Sequence, residues 1–175
     1  QRLLDALGEL VSDHDLVIID TGAGISRSVV DLCHAAGEVL VVTTPEPTAI
    51  VDAYAMLKVF SCEVRIPNCW LTVNQAQSRG EAQQVTSRIK SLAKKFLSMD
   101  LQDGGAVLYD PRVSASVRKR QHFTMAYPTS PAARSIRELS DGLGMKQPRP
   151  VDRGFLHRLK EVFVGDLGRG RERSP

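Results

Sequence analysis

Cysteine is scarce in this chain, and its three copies fall into no working pattern. Cys33, Cys62 and Cys69 make no C-x-x-C pair and join no histidine at metal-ligand spacing. That argues against a disulfide framework and a cysteine-held zinc, and a reduced, cytosolic setting is expected. Long apolar runs are missing too. None approaches about eighteen residues and no signal-peptide layout is present, so neither a membrane span nor export is expected. No strong charge balance exists: 23 Lys and Arg against 20 Asp and Glu leave a net +3. A balance that small marks no nucleic-acid partner unless the basic residues cluster. An initiator methionine is absent. Gln1 opens "QRLLDALGELV", which reads as a helix already under way with Leu3, Leu4, Leu7, Leu10 and Val11 on one face. A piece of a longer protein, or a processed one, is expected. Nowhere does GxxxxGKS/T occur, the loop whose amides and lysine cradle nucleotide phosphates.

What is present fits an ordinary soluble domain, with 42% apolar and 25% charged residues in 175. That length gives one compact domain with a core, plus a tail. Strand and helix patterns alternate along it. "DLVIID" reads as a buried strand, "SRSVVDLCHAA" as a helix capped by Ser26, and "EVLVVTT" as a second buried strand. "PTAIVDAYAMLKVF" is helical with Pro47 at an early position, and "NCWLTVN" is a third strand. "GEAQQVTSRIKSLAKKFLSM" is a long helix with Ala82, Val85, Ile89, Leu92 and Phe96 as its apolar stripe. "GAVLY" is a short fourth strand, and the helices "PRVSASVRKRQ" and "SPAARSIRELSDGLG" follow, the last stopping at glycine. The order predicts an α/β fold with a parallel sheet joined by right-handed crossovers. Apolar strands without alternation predict cover on both faces.

Ligands of such sheets collect at the carboxyl ends of the strands. Three ends carry suggestive residues: Asp20 with its "TGAG" turn, the loop Thr43–Thr48, and Asn74. An aspartate held there can orient a water on Mg²⁺, and Gly22 and Gly24 let backbone amides approach a phosphate. The plainer alternative is that Asp20 begins a turn and caps a helix.

Four motifs then occur in order: "DLVIIDTGAGIS", "EVLVVTTPEPTAIVDAYAMLK", "LTVNQAQSRGEA" and "LYDPRVSASVRKRQHFTMAYPTSPAARSIREL". From about residue 10 to 143 the chain resembles the later part of the MinD/ParA class of deviant P-loop ATPases. Within that class it is similar to the flagellar-number regulators FlhG, FleN or YlxH, because MinD proper usually has a proline in the turn where Gly22 stands. The resemblance implies a P-loop NTPase or Rossmann-like three-layer fold lacking its N-terminal strands, over residues 1–145. It implies ATP and Mg²⁺ as cofactors. Asp20 would contact Mg²⁺ through water, with Thr21 and Gly22 beside it and Gly24 near the γ-phosphate. Thr44, Pro45 and Glu46, with Asp52 close by, would line a nucleotide-side dimer face. Asn74 would recognise the adenine, and the loop at Asp110 and Pro111 would close over it. Taken singly, Asn74 reads equally well as satisfying turn amides and Asp110-Pro111 as a turn starter.

The departure is the missing phosphate loop and its signature lysine, so the chain as given is not expected to hydrolyse ATP, although a full-length form is. The resemblance implies a homodimer when ATP is bound. An FlhF-type GTPase, flagellar switch proteins or a transcriptional activator are its further implied partners. Two other readings stay open. One is a non-catalytic partner-binding module with a degenerate nucleotide site. The other is a ParA-like positioner on DNA through Arg118, Lys119 and Arg120, although nucleic acid is not the expected partner.

"KQPRP" at 146–150 begins a linker that runs to 152, and 165–175 reads as a disordered basic tail. Between them, at 153–164, Phe155, Leu156, Leu159, Val162 and Phe163 fall on one arc of a helix, flanked by Arg158 and Lys160. That is the layout of a helix lying on an anionic membrane, here the cytoplasmic face of the inner membrane, and it resembles the membrane-targeting helix of MinD-type proteins. A helix docked on this domain or on a partner is the alternative. Partial burial of five apolar side chains contributes roughly 5 kcal/mol, most of which ordering the helix consumes. A single tail is thus a weak anchor, and two tails in a dimer are a stronger one. Changing Phe155 and Leu159 to Asp in the full-length protein with ATP is expected to abolish co-sedimentation with anionic vesicles. Undiminished binding would refute the anchor.

Overall fold

The computed structural model describes residues 14, 16–63, 68–144, 154–155 and 157–158. Helix α1 spans Arg27–Ala35, strand β1 Glu38–Thr43, α2 Pro47–Glu63 and β2 Asn68–Ala76. They are followed by α3 Arg79–Leu97, β3 Gln102–Leu108, α4 Pro111–Arg118, α5 Phe123–Ala126 and α6 Pro131–Gly142. The strands form one parallel sheet in the order β1-β2-β3, flanked by helices, as the alternation of strand and helix predicts.

Local chemistry sets the boundaries. Pro47 opens α2, where its missing N–H costs nothing. α3 starts with a reciprocal cap: the Glu81 amide donates to Ser78 Oγ (3.1 Å) and the Glu81 carboxylate accepts from the Gln77 amide (2.7 Å). Ser26 does sit at the N-cap position of α1, but its hydroxyl meets Ser28 Oγ at 3.1 Å instead of capping an amide.

One core cluster joins the sheet to the first three helices. Val39 and Val41 of β1 and Cys69, Leu71 and Val73 of β2 meet Leu57 and Phe60 of α2 and Ile89 and Ala93 of α3. Val29 and Cys33 of α1 complete it. Leu57, Phe60, Leu71 and Ile89 are fully buried, each stabilising the fold by about 1.5–3 kcal/mol. Burial pushes the Cys69 thiol up to about 12, with nearby Cys33 adding to the shift, so this thiol stays protonated and inert. Along β3, α6 packs through its small residues Ala132, Ala133 and Ser135.

Four expectations are corrected. "DLVIID" is not a strand: 16–20 carry no sheet pairing, and Leu16, Val17 and Ile18 are exposed. An apolar segment becomes a central strand only with a ladder partner and cover on both faces, and among the described residues it has neither. β1 accordingly alternates, with Leu40 and Val42 turned outward and exposed, instead of being buried on both sides. The buried stripe of α3 ends on Ala93 and leaves Phe96 62% exposed, under the ammonium of Lys95 at 5.2 Å. β3 begins three residues earlier than "GAVLY", and the one-turn α5 was not anticipated. The expected helix at 1–13, the linker at 146–152 and the tail at 165–175 lie outside the described residues.

β2 and β3 can approach at one point only because residue 104 has no side chain. A Cβ on Gly104 would run into Thr72 Oγ1 and stand 3.1 Å from the Leu71 carbonyl oxygen. Gly104→Ala is expected to cost about 1–3 kcal/mol in urea denaturation. Adding Thr72→Ala should recover part of that loss, and a purely additive double variant would contradict the contact.

Candidate functional site

Parallel pairing brings the carboxyl ends of all three strands to one rim. A cleft of about 400 Å³ opens there, lined by Thr44, Pro45, Glu46 and Pro47 after β1, Gln75, Gln77 and Glu81 at and after β2, and Tyr109 after β3. That volume lies at the lower end of roughly 300–1,000 Å³ for small-molecule clefts.

Each wall is fixed locally. The Glu46 amide donates to Thr44 Oγ1 at 3.4 Å, tightening the turn into α2. In β2, Asn74 pairs with Val107 and Ala76 with Leu108, so Gln75 is an extra, bulged residue. Its φ of 58° lies in the left-handed region, an uncommon place for a glutamine. The bulge turns Gln75 into the cleft. Asn74 Oδ1 accepts the Gln75 amide at 2.9 Å and so holds the bulge in place. The Tyr109 amide donates to the Ala76 carbonyl at 2.8 Å, and the ring is half exposed at the rim.

Among the described residues, two carboxylates and no lysine or arginine line the cleft. It therefore repels phosphate and suits an uncharged heterocycle, with the Gln75 and Gln77 amides able to donate and accept at ring edges and Tyr109 offering a stacking face.

Asp110 stands behind the rim, not in it. Its side chain is buried, and Oδ1 accepts the Arg112 amide at 3.0 Å as the N-cap of α4. The guanidinium of Arg112 lies 3.5 Å away. The N-terminus of α6 adds the Ser130 hydroxyl and the Ala132 amide to its surroundings. Burial on its own raises the pKa of this carboxyl. The Arg112 amide, Ser130, the Arg112 guanidinium and the Ala132 amide outweigh burial and hold it below the ordinary aspartate range.

The sequence-predicted residues thus divide. Thr44, Pro45 and Glu46 come together with Tyr109 in the cleft. Asn74 and Asp110 support it from behind, and Pro111 opens α4. Asp52 lies exposed on α2 and does not line the cleft. Asp20, Gly22 and Gly24 are exposed in the turn before α1, with Thr21 half-buried, and none of the four lines the cleft. Gly24 has φ 99°, a conformation that demands glycine, and open space surrounds both glycines. Among the described residues no group of three or more His, Cys, Asp or Glu could hold a metal ion. Gln75, Gln77, Glu81, Pro47 and Tyr109 were missed; only the turn character of "NQAQS" hinted at the first two.

In the segment expected to bind membrane, 154–155 and 157–158 are helical. Phe155 is buried, and Arg158 Nε donates to the Ala35 carbonyl at 3.0 Å, satisfying the C-terminal end of α1. Leu156, Leu159, Lys160, Val162 and Phe163 lie outside the described residues. No described helix is long and apolar enough to cross a membrane.

No family model matches the chain. Three of the curated proteins that resemble it are the following. The "Antiactivator FleN" of Pseudomonas aeruginosa is 32% identical over 93% of this chain and 58% of its own length. The "Flagellum site-determining protein YlxH" of Helicobacter pylori is 30% identical over 87% of this chain and 50% of its own. The "Septum site-determining protein MinD" of Bacillus subtilis is 24% identical over 93% and 61%. The chain therefore spans about half to three-fifths of the length of these relatives.

Because the Asp110 carboxyl is held low, its contribution to stability is complete above about pH 4, the unfolded aspartate value, and is lost as pH falls through the folded one. Asp110→Ala is expected to cost about 1–2 kcal/mol at neutral pH. Asp110→Asn should flatten the loss of stability below pH 4 in chemical denaturation, and an unchanged profile would contradict this role.

Proposed function

We propose a function from one premise: the chain belongs to the MinD/ParA-type family, with the flagellar regulators FleN and YlxH (FlhG) among its relatives. The full-length protein is then an ATP-driven switch that regulates flagellar number or placement. It dimerises with ATP and cycles on and off the membrane.

The observation that carries the reading is the strand-end cleft between Thr44–Pro47, Gln75–Gln77 and Tyr109. Its size, its amides and its negative lining suit the adenine side of ATP and not the phosphate side. Gln75, Gln77 and Tyr109 would hold the base. Thr44, Pro45 and Glu46 form the rim that a second copy would meet.

The phosphate side fits less completely. Asp20 offers one carboxylate for a water on Mg²⁺ and Gly24 an open backbone, while the lysine and amides that cradle phosphates are absent from this sequence. Bound ATP and Mg²⁺ would supply the transferable phosphoryl group and its charge neutralisation. What this chain's residues do is seat the base, offer the dimer rim and hold a carboxylate toward the phosphates.

The burial of Phe155 and the bond from Arg158 to the Ala35 carbonyl fit the alternative of a helix docked on this domain, and membrane binding would require that helix to leave the end of α1. Partners of the flagellar machinery, an FlhF-type GTPase, switch proteins or a transcriptional activator, would read the same change of state.

The test uses the full-length protein in light scattering and phosphate release. ATP is expected to convert monomer to dimer. Asp20→Ala should bring hydrolysis to background, and Gln75→Ala with Tyr109→Ala should raise the ATP concentration needed for dimerisation about tenfold or more. Dimerisation indifferent to ATP, or to the cleft variants, would overturn the reading.

A further inference from the structure

Charge is distributed unevenly over the fold. Residues 111–137 hold six cations (Arg112, Arg118, Lys119, Arg120, Arg134 and Arg137) and no Asp or Glu. With the whole chain at +3, the remainder carries −3. Two of the six are engaged: Arg112 faces Asp110, and Arg137 donates to the Pro128 carbonyl. Arg118, Lys119 and Arg120 are contiguous and exposed, and His122 beside them is exposed too. None of the three forms an ion pair among the described residues.

Apolar side chains accompany these cations into solvent. Val117 is 69% exposed and Met125, on the one-turn helix that follows, is 78% exposed. Large apolar groups left that open beside contiguous cations suit a surface that is covered part of the time.

The backbone gives an independent sign. α4 ends with the Arg120 amide donating to the Val117 carbonyl and the Gln121 amide to the Ser116 carbonyl, both at 3.0 Å. That termination places residue 120 in the left-handed region, at φ 54°, where glycine is the favoured occupant. An arginine held in such a conformation points to use of its side chain and not to stability.

We propose that this corner, Arg118, Lys119 and Arg120 with Val117 and Met125, docks an acidic amphipathic segment of a partner protein. The complementarity is double: carboxylates on one face meet the cations, and the apolar face covers Val117 and Met125. Nucleic-acid phosphates would use the cations and leave the apolar pair bare. Two apolar side chains on a corner are too few to insert in a bilayer with useful affinity. α4 begins two residues after Tyr109, and its eight residues span about 12 Å. A docked partner would thus grip the helix that Asp110 caps at the cleft. The docking itself does not rest on the nucleotide reading.

The probe is a fluorescent synthetic helix with Glu on one face and Leu on the other, titrated against the 175-residue chain by anisotropy. It is expected to bind, more weakly as salt rises, while the Lys/Leu counterpart does not. Arg118→Glu with Lys119→Glu should weaken binding about tenfold or more, and Val117→Ser with Met125→Ser several-fold. Lys58→Glu with Lys94→Glu, on exposed positions elsewhere, should leave it unchanged. Arg120→Gly separates binding from folding: it should weaken binding while the melting temperature stays level or rises. Equal binding by the patch variants would overturn the proposal. So would a preference for duplex DNA or for phosphatidylglycerol vesicles that the same variants abolish.

Discussion

β2 is hydrogen-bonded in parallel on both sides, to β1 from Glu38 opposite Asn68 through Thr43 opposite Val73, and to β3 from Trp70 opposite Gln102 onward. Parallel strands need crossovers, so α2 and α3 must return the chain across the sheet, and their apolar faces are what bury Leu71 and Val73. The same pairing forces three carboxyl ends to finish side by side. Two register shifts interrupt the β2–β3 ladder: one between Leu71 and Val73, where Gly104 comes close to Thr72, and the bulge at Gln75, which falls where the strand meets the cleft.

Electrostatics then divide the two sides of the rim. Glu46 and Glu81 make the cleft unfavourable for phosphate, whereas the turn Asp20–Gly24 stands open and lies outside the cleft. Asp110 stabilises the boundary. Its Oδ1 accepts the Arg112 amide at the start of α4, and the start of α6 lies beside the carboxylate and lowers its pKa further. Tyr109, immediately before it, is positioned by that arrangement and by its bond to Ala76. The far end of α4 carries the basic corner. One short helix therefore joins a candidate small-molecule site to a candidate partner surface.

Much of the fold was legible because period and punctuation agree. Pro47, Pro111 and Ser130 mark helix starts, and the structure places helices there. The strand "DLVIID" was misread because apolarity signals a need for cover, not its supply. Phe96 was misread for a related reason: a helical stripe cannot tell where the sheet beneath it ends. In the site, residue types at strand ends pointed to Thr44 to Glu46, and these residues line the cleft. Gln75 could not be found that way, because a bulge depends on register between two strands and not on the residue alone. Asp110 is expected in the loop that closes over a ligand, and the packing buries its side chain as the N-cap of α4, outside the cleft lining.

The central claim is that the three strand ends form the base-seating half of a nucleotide site. Hydrogen exchange of the full-length protein with and without ATP tests it most directly. The account predicts slowed exchange at the amides of Thr44, Glu46, 75–77 and 109–110 on ATP addition, with α3 unchanged beyond its first turn. Protection confined to other segments, or none at all in the presence of bound ATP, would contradict it.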